Sequence, residues 1–196
     1  MDTVAFSPGD CYSSGCRGMI DAVAADLRAG SAETDSLAAG AGVSWEYETF
    51  TTSDDPAISR FMQLWEDRRR PDQSIPSRQA FEIEDLMEWL GHILILDVID
   101  GGADFHYRLV GTEIATALGR DYSGRRMSEC TFGVSAADVI GEFGEVVAAR
   151  RPLVRRGHIT WAPDKSWRTF RSVHAPLATD GETVDKTMGV LLIGDL

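Results

Sequence analysis

HILILDVIDGGADFHYRLVGT, residues 92–112, is the stretch on which the fold turns. Its first eight residues are almost all leucine or β-branched, and Gly101-Gly102 interrupts them. After the break, Phe105, Tyr107 and Leu109 alternate with His106 and Arg108. Alternation at period two marks a half-buried strand, and a continuous apolar run of this length marks a strand covered on both faces. Two strands joined by a tight turn are therefore expected.

Downstream, GTEIATALGRDYSGR (111–125) has the look of a glycine-rich phosphate loop. A P-loop needs a lysine after its last glycine, and a dinucleotide site needs G-x-G-x-x-G. Gly111, Gly119 and Gly124 satisfy neither spacing. The glycines read instead as turns around a short helix that carries Ile114, Ala115 and Leu118, with Thr112 as its cap. Next, Ala136, Val139, Ile140, Phe143, Val146 and Val147 line one face of a longer helix, and Arg150-Arg151-Pro152 stops it. Three strands complete the pattern, at 153–162, 167–177 and 187–196, with turn residues between them.

Upstream, Ser53-Asp-Asp-Pro56 is a helix-start signature, and Ile58, Phe61, Met62 and Trp65 form an apolar stripe behind it. A second short helix is expected at 82–90, where Ile83, Leu86, Met87 and Leu90 share a face. Residues 1–44, rich in Ala, Gly, Ser and Asp, read as a mobile leader with one weak helix at 19–27. Met19 is an alternative start of translation. The organisation expected is a leader (1–44), an N-terminal helix region (45–75) and a sheet domain (76–196).

Composition narrows the function. A net charge of −12 argues against a nucleic-acid surface, which needs clustered Lys and Arg. No apolar run reaches the length of a membrane span, and the first residues lack a signal-peptide pattern, so a cytoplasmic protein is expected. Cys11, Cys16 and Cys130 lack the second ligand pair of a zinc site and read as free thiols, so no metal is assigned.

The two continuous runs, 93–99 and 188–193, belong side by side in the middle of an antiparallel sheet. The alternating strands at 105–110 and 167–174 should flank them. The strand at 154–161, with Arg155, Arg156 and His158, is expected at an edge defended by charge. The helices between the second and third strands cover one face. The stripe of Ile58, Phe61, Met62 and Trp65 is expected to cap the other, or to form a homodimer interface.

Two strands, short helices, a longer helix and three strands form an order that resembles the PAS superfamily. The marks are Pro76-Ser77-Arg78, the strand end Tyr107-Arg-Leu-Val-Gly-Thr112, and Gly119-Arg-Asp-Tyr-Ser-Gly-Arg125. The sequence is similar to a bacterial, largely single-domain PAS branch formerly catalogued as a domain of unknown function, over roughly residues 56–196. The resemblance implies an α+β fold, a five-stranded antiparallel sheet with a small cavity under its helices. It also implies ligand sensing or dimer signalling, and no catalysis. By its strand-end placement, Tyr107, Arg108 and Thr112 are candidate ligand contacts, joined by Tyr122, Arg171 and His174 on neighbouring elements. An arginine beside tyrosines can hold a carboxylate or phosphate by charge-assisted hydrogen bonds. Each of these side chains also has an ordinary reading as core, wet face or satisfied strand residue.

Haem needs an axial ligand, and the helix at 135–150 contains no histidine; the four histidines lie on or beside strands. A photoactive flavin needs a reactive cysteine in a helix, and Cys130 in MSECTFG does not match. Both cofactors are therefore disfavoured. No nucleophile elbow and no H-E-x-x-H motif is present, so no catalytic residue is assigned. Two functions follow. One is a sensor that binds a small metabolite and acts in trans on a signalling protein. The other is a ligand-free dimerisation or interaction module with a filled core.

Overall fold

A computed structural model describes residues 47–160, 162, 164 and 166–194. The leader, its expected helix, Met19, Cys11 and Cys16 lie outside the described residues. In chain order the elements are β1 (Tyr47–Phe50), α1 (Pro56–Asp67), β2 (Ile93–Ile99), β3 (Asp104–Val110), α2 (Thr112–Leu118), α3 (Ala136–Ala149), β4 (Leu153–His158), β5 (Thr169–Leu177) and β6 (Lys186–Gly194). The strands make one antiparallel sheet in the order β1-β4-β5-β6-β2-β3.

β2 and β6, the two continuous apolar runs, are neighbours in the sheet interior, flanked by β3 and β5 as their alternation demands. The sheet has six strands among the described residues, not five. The extra strand is Tyr47–Phe50, which pairs with β4 and corrects the expected edge position of β4. With an edge no longer exposed there, Arg155 is only 2% exposed, and its neighbour Arg156 points to the opposite face and to solvent.

Successive strand side chains alternate between faces, so each strand feeds two cores. Ile93 and Ile95 of β2 join Val173, Ala175, Met188 and Val190 beneath α1. Leu94 and Leu96 join Phe105, Phe170 and Leu191 beneath α2 and α3. α1 begins at Asp55, whose carboxylate accepts from the amides of Ala57 and Ile58, with Pro56 at the first helical position. Ile58, Phe61 and Trp65 are buried against their own chain's sheet, and Met62 is half-buried. The Trp65 indole N–H donates to the carbonyl of Pro176 at 2.8 Å, and Phe61 meets Trp89 edge to face at 5.6 Å. A homodimer through these side chains would have to strip them from that sheet.

The expected α-helix at 82–90 is a 3-10 segment, Glu84–His92. Winding at three residues per turn turns Leu86 and Trp89 inward and leaves Ile83, Met87 and Leu90 exposed. The segment runs into Gly91, whose carbonyl lies against Gly111: a Cβ at position 111 would stand 2.2 Å from that oxygen. Gly111 is thus fixed by close backbone approach, and it also occupies the α2 cap position expected for Thr112, which instead begins the helix.

Candidate ligand cavity

A cavity of about 80 Å³ lies between the α3 side of the sheet and the helices α2 and α3. Its floor is the alternating set that β2, β3, β5 and β6 turn inward: Leu94, Tyr107, Phe170, Ser172, His174 and Leu191. Ile114 and Leu118 of α2 form one wall, and Val139 and Phe143 of α3 another.

The loop after α2 closes the mouth by folding back onto β3. The Gly124 amide donates to the Tyr107 carbonyl at 2.8 Å, and the Tyr107 amide donates to Arg125 at 2.9 Å. This return stacks the Tyr122 ring on Tyr107, centroids 5.5 Å apart, and Tyr122 packs in turn on Phe132. The Tyr122 hydroxyl donates to the Thr131 carbonyl at 2.6 Å, and Arg120 reaches Asp164 at 3.3 Å beside it.

The interior end is polar. Arg155 enters from β4, and its Nη2 donates to the Glu142 carbonyl of α3 at 2.7 Å and to the Glu145 carboxylate at 2.8 Å. Its guanidinium lies 5.7 Å from the centre of the Tyr47 ring of β1. Three buried polar atoms are left without a hydrogen-bond partner here: Arg155 Nε, Glu142 Oε1 and His174 Nδ1. Buried polar groups are normally paired, because an unmade bond costs about 1–3 kcal/mol. Unpaired groups collected at a cavity leave hydrogen-bonding positions open there.

Burial sets the charge of these groups. It pushes the Glu142 carboxyl up to about 7, against the pull of Arg155. It pushes His174 down to about 3, and Arg155 adds to the effect, so the imidazole is neutral. His174 lies over Gly189, where a Cβ would stand 2.3 Å from Nδ1, and meets Phe143 edge on at 4.9 Å. Burial also raises Tyr107 well above the tyrosine range and lifts Tyr47 to about 12. Cys130, close to the same cluster, is a buried thiol raised by desolvation, which is the environment of an inert core cysteine.

Of the six side chains singled out as ligand contacts, Tyr107, Tyr122 and His174 line the cavity. The other three do not. Arg108 follows Tyr107 at the register shift in β3, where it is exposed and outside the cavity lining. Thr112 is exposed at the start of α2. Arg171, three residues from His174 on β5, faces α1 and pairs with Asp55 at 2.8 Å. The residues that sequence reasoning missed are Arg155, Glu142 and Ser172. Glu142 carried a signal: with Val139, Phe143 and Val146 it completes an i, i+3, i+4, i+7 set, a carboxylate at a position whose neighbours are buried.

Among the described residues no group of three or more His, Cys, Asp and Glu could hold a metal ion, and no helix is long and apolar enough to cross a membrane. Residues 53–192 match the family model of the PAS domain, and the chain belongs to that family. The match takes in α1 and the strands from β2 to nearly the end of β6, and β1 lies before it. No curated protein matches the chain. PAS domains are sensory, signalling or interaction modules and are generally not catalysts.

Proposed function

We propose that the protein is a cytoplasmic sensory PAS domain whose cavity binds a small molecule and whose output acts in trans on a signalling partner, with no catalysis of its own. One observation carries the reading: three buried polar atoms, on Arg155, Glu142 and His174, have no partner at a cavity lined mostly by apolar and aromatic side chains. A ligand that supplied their bonds would join α3 to β5 through His174 as well as to β4, which Arg155 already ties to α3. Occupancy would then be felt along a helix and two strands at once, which is what a relay to a partner requires.

The small cavity volume favours a second reading, an interaction module with a filled core that assembles copies of itself or docks a signalling protein. Native and denaturing mass spectra of freshly purified protein separate the two. A sensor shows excess mass only in the native spectrum, and stripping that mass lowers the melting temperature, since a ligand of the folded state stabilises it. Equal masses and an unchanged melt sink the sensor and leave the interaction module. Light scattering on the same sample reads the dimer directly.

A further inference from the structure

Resting on the ligand-binding reading, we infer that the cavity takes a small uncharged molecule whose head both accepts and donates hydrogen bonds, of the primary-amide kind, held between Arg155 and Glu142. The two unpartnered atoms that define the head are of opposite type. Arg155 Nε is a donor that lacks an acceptor, and Glu142 Oε1 is an acceptor that lacks a donor when the carboxyl is ionised. One head group with both functions satisfies the pair; a head with only one leaves the other atom buried and unmade.

Charge then removes the two ionic alternatives. Among the lining side chains and their ion-pair partners stand two cations, Arg120 and Arg155, against three carboxylates, Glu142, Glu145 and Asp164. Each arginine is engaged by one carboxylate, at 3.3 Å and 2.8 Å, and Glu142 is left over. A ligand anion would bring a further negative charge beside Glu142, whose own ionisation the site already resists. A ligand ammonium would suit Glu142, yet it offers no acceptor to Arg155 and brings a cation up to a guanidinium. The neutral imidazole of His174 adds no charge to tip the balance.

Size and lining set the body. With one water-sized sphere taking about 10–15 Å³, a volume of 80 Å³ holds roughly five to eight non-hydrogen atoms. Leu94, Ile114, Leu118 and Leu191 surround the body with hydrocarbon, so it should be branched and aliphatic or a small ring.

Three probes share such a body and differ in the charge of the head: isovaleramide, isovalerate and isopentylamine. Each is titrated into the full-length protein and followed by two-dimensional NMR of backbone amides. Isovaleramide should shift resonances of α3, β4 and β5 with a midpoint about tenfold or more below those of the other two, as one satisfied pair of polar bonds is worth. Glu142→Gln, which keeps an acceptor and adds donors, should hold that midpoint within about threefold, and Glu142→Leu should raise it about tenfold while leaving a folded spectrum. Isovalerate or isopentylamine binding as tightly as the amide overturns the inference, as does amide binding that Glu142→Leu leaves untouched. If none of the three probes shifts a cavity resonance while the native mass still shows a bound molecule, the head-group class falls and the sensor stands. If both are silent, both fall.

Discussion

The two faces of the sheet are built from the same strands and differ in what they leave unfinished. The α1 face is packed with large side chains: Ile58, Phe61 and Ile75 are fully buried there, the Trp65 indole N–H reaches a carbonyl, and the Trp89 indole N–H is buried without a partner. The α3 face keeps a hollow, a buried arginine, a carboxyl shifted to about 7 and a neutral histidine. A domain that needed only stability would have finished both faces alike. The difference teaches that the tightest packing lies under α1 and that the unmade polar bonds gather under α3.

The sharpest way to break that comparison is to open the finished face. Phe61→Ala deletes a fully buried ring that packs on Trp89, and should cost about 3–5 kcal/mol in chemical denaturation. If its cost were no greater than that of Leu118→Ala beside the cavity, the two faces would not differ in packing.

A smaller effect, with a sign, comes from the unfinished face. Glu142 has a folded pKa near 7, above its ordinary 4.5, so the folded state holds the proton more tightly than the unfolded chain. Stability contributed by this group is therefore greatest at low pH and falls as the pH rises from about 4.5 through 7. Glu142→Gln should match the wild type near pH 4.5 and exceed it above pH 7 by about 3 kcal/mol. His174 has the opposite slope: with its pKa held near 3, below the ordinary 6.5, it penalises the fold as the pH falls from 6.5. In the wild type the two slopes oppose each other between 4.5 and 6.5, and Glu142→Gln should expose a stability that climbs with pH up to 6.5 and then levels. A variant with an unchanged pH profile would show that Glu142 titrates as an ordinary exposed carboxylate.

On the α1 side, Asp55 combines two tasks, capping the helix and pairing with Arg171. Asp55→Ala should cost about 1–2 kcal/mol by loss of the cap, with the ion pair adding little because Arg171 is largely exposed. Asp55→Asn, which keeps a capping oxygen and drops the charge, should recover most of the loss.

Much of this arrangement was legible in the residues, and what was not has specific causes. The central pairing of β2 with β6 follows from two runs that must be covered on both faces. β1 escaped because YETF is four residues long beside a stretch of low apolar content, too short for a period to show. That omission misplaced β4, since Arg155 and Arg156 are alike in sequence and only the covering strand decides that an arginine there can be enclosed. At the cavity, strand parity already separates Arg171 from His174, three apart on β5, while on β3 a register shift at Arg108 lets Tyr107 and Val110 share the cavity face and leaves Arg108 exposed. Chemical type suggested grouping them; geometry forbids it. The enclosure of Glu142 and Arg155 is a tertiary fact, made where α3 packs over β5 and the Arg155 side chain reaches it from β4, and a sequence shows only that each has apolar neighbours.

The smallest effect is a contrast of arginines, and it tests the parity argument at the site. Arg108→Ala and Arg171→Ala alter exposed side chains that turn away from the cavity, and each should stay within about 0.5 kcal/mol of the wild type and leave any bound molecule in place. Arg155→Met removes a cavity donor and the tie from β4 to the Glu142 carbonyl, fills its space with an unbranched apolar chain, and should release the bound molecule. Losing the ion pair to Glu145 costs the protein little, because that carboxylate is mostly in water. Native mass on the three variants is the measurement. Release from Arg108→Ala or Arg171→Ala, with retention in Arg155→Met, would move the site to the other face of the sheet, where Arg171 meets the start of α1.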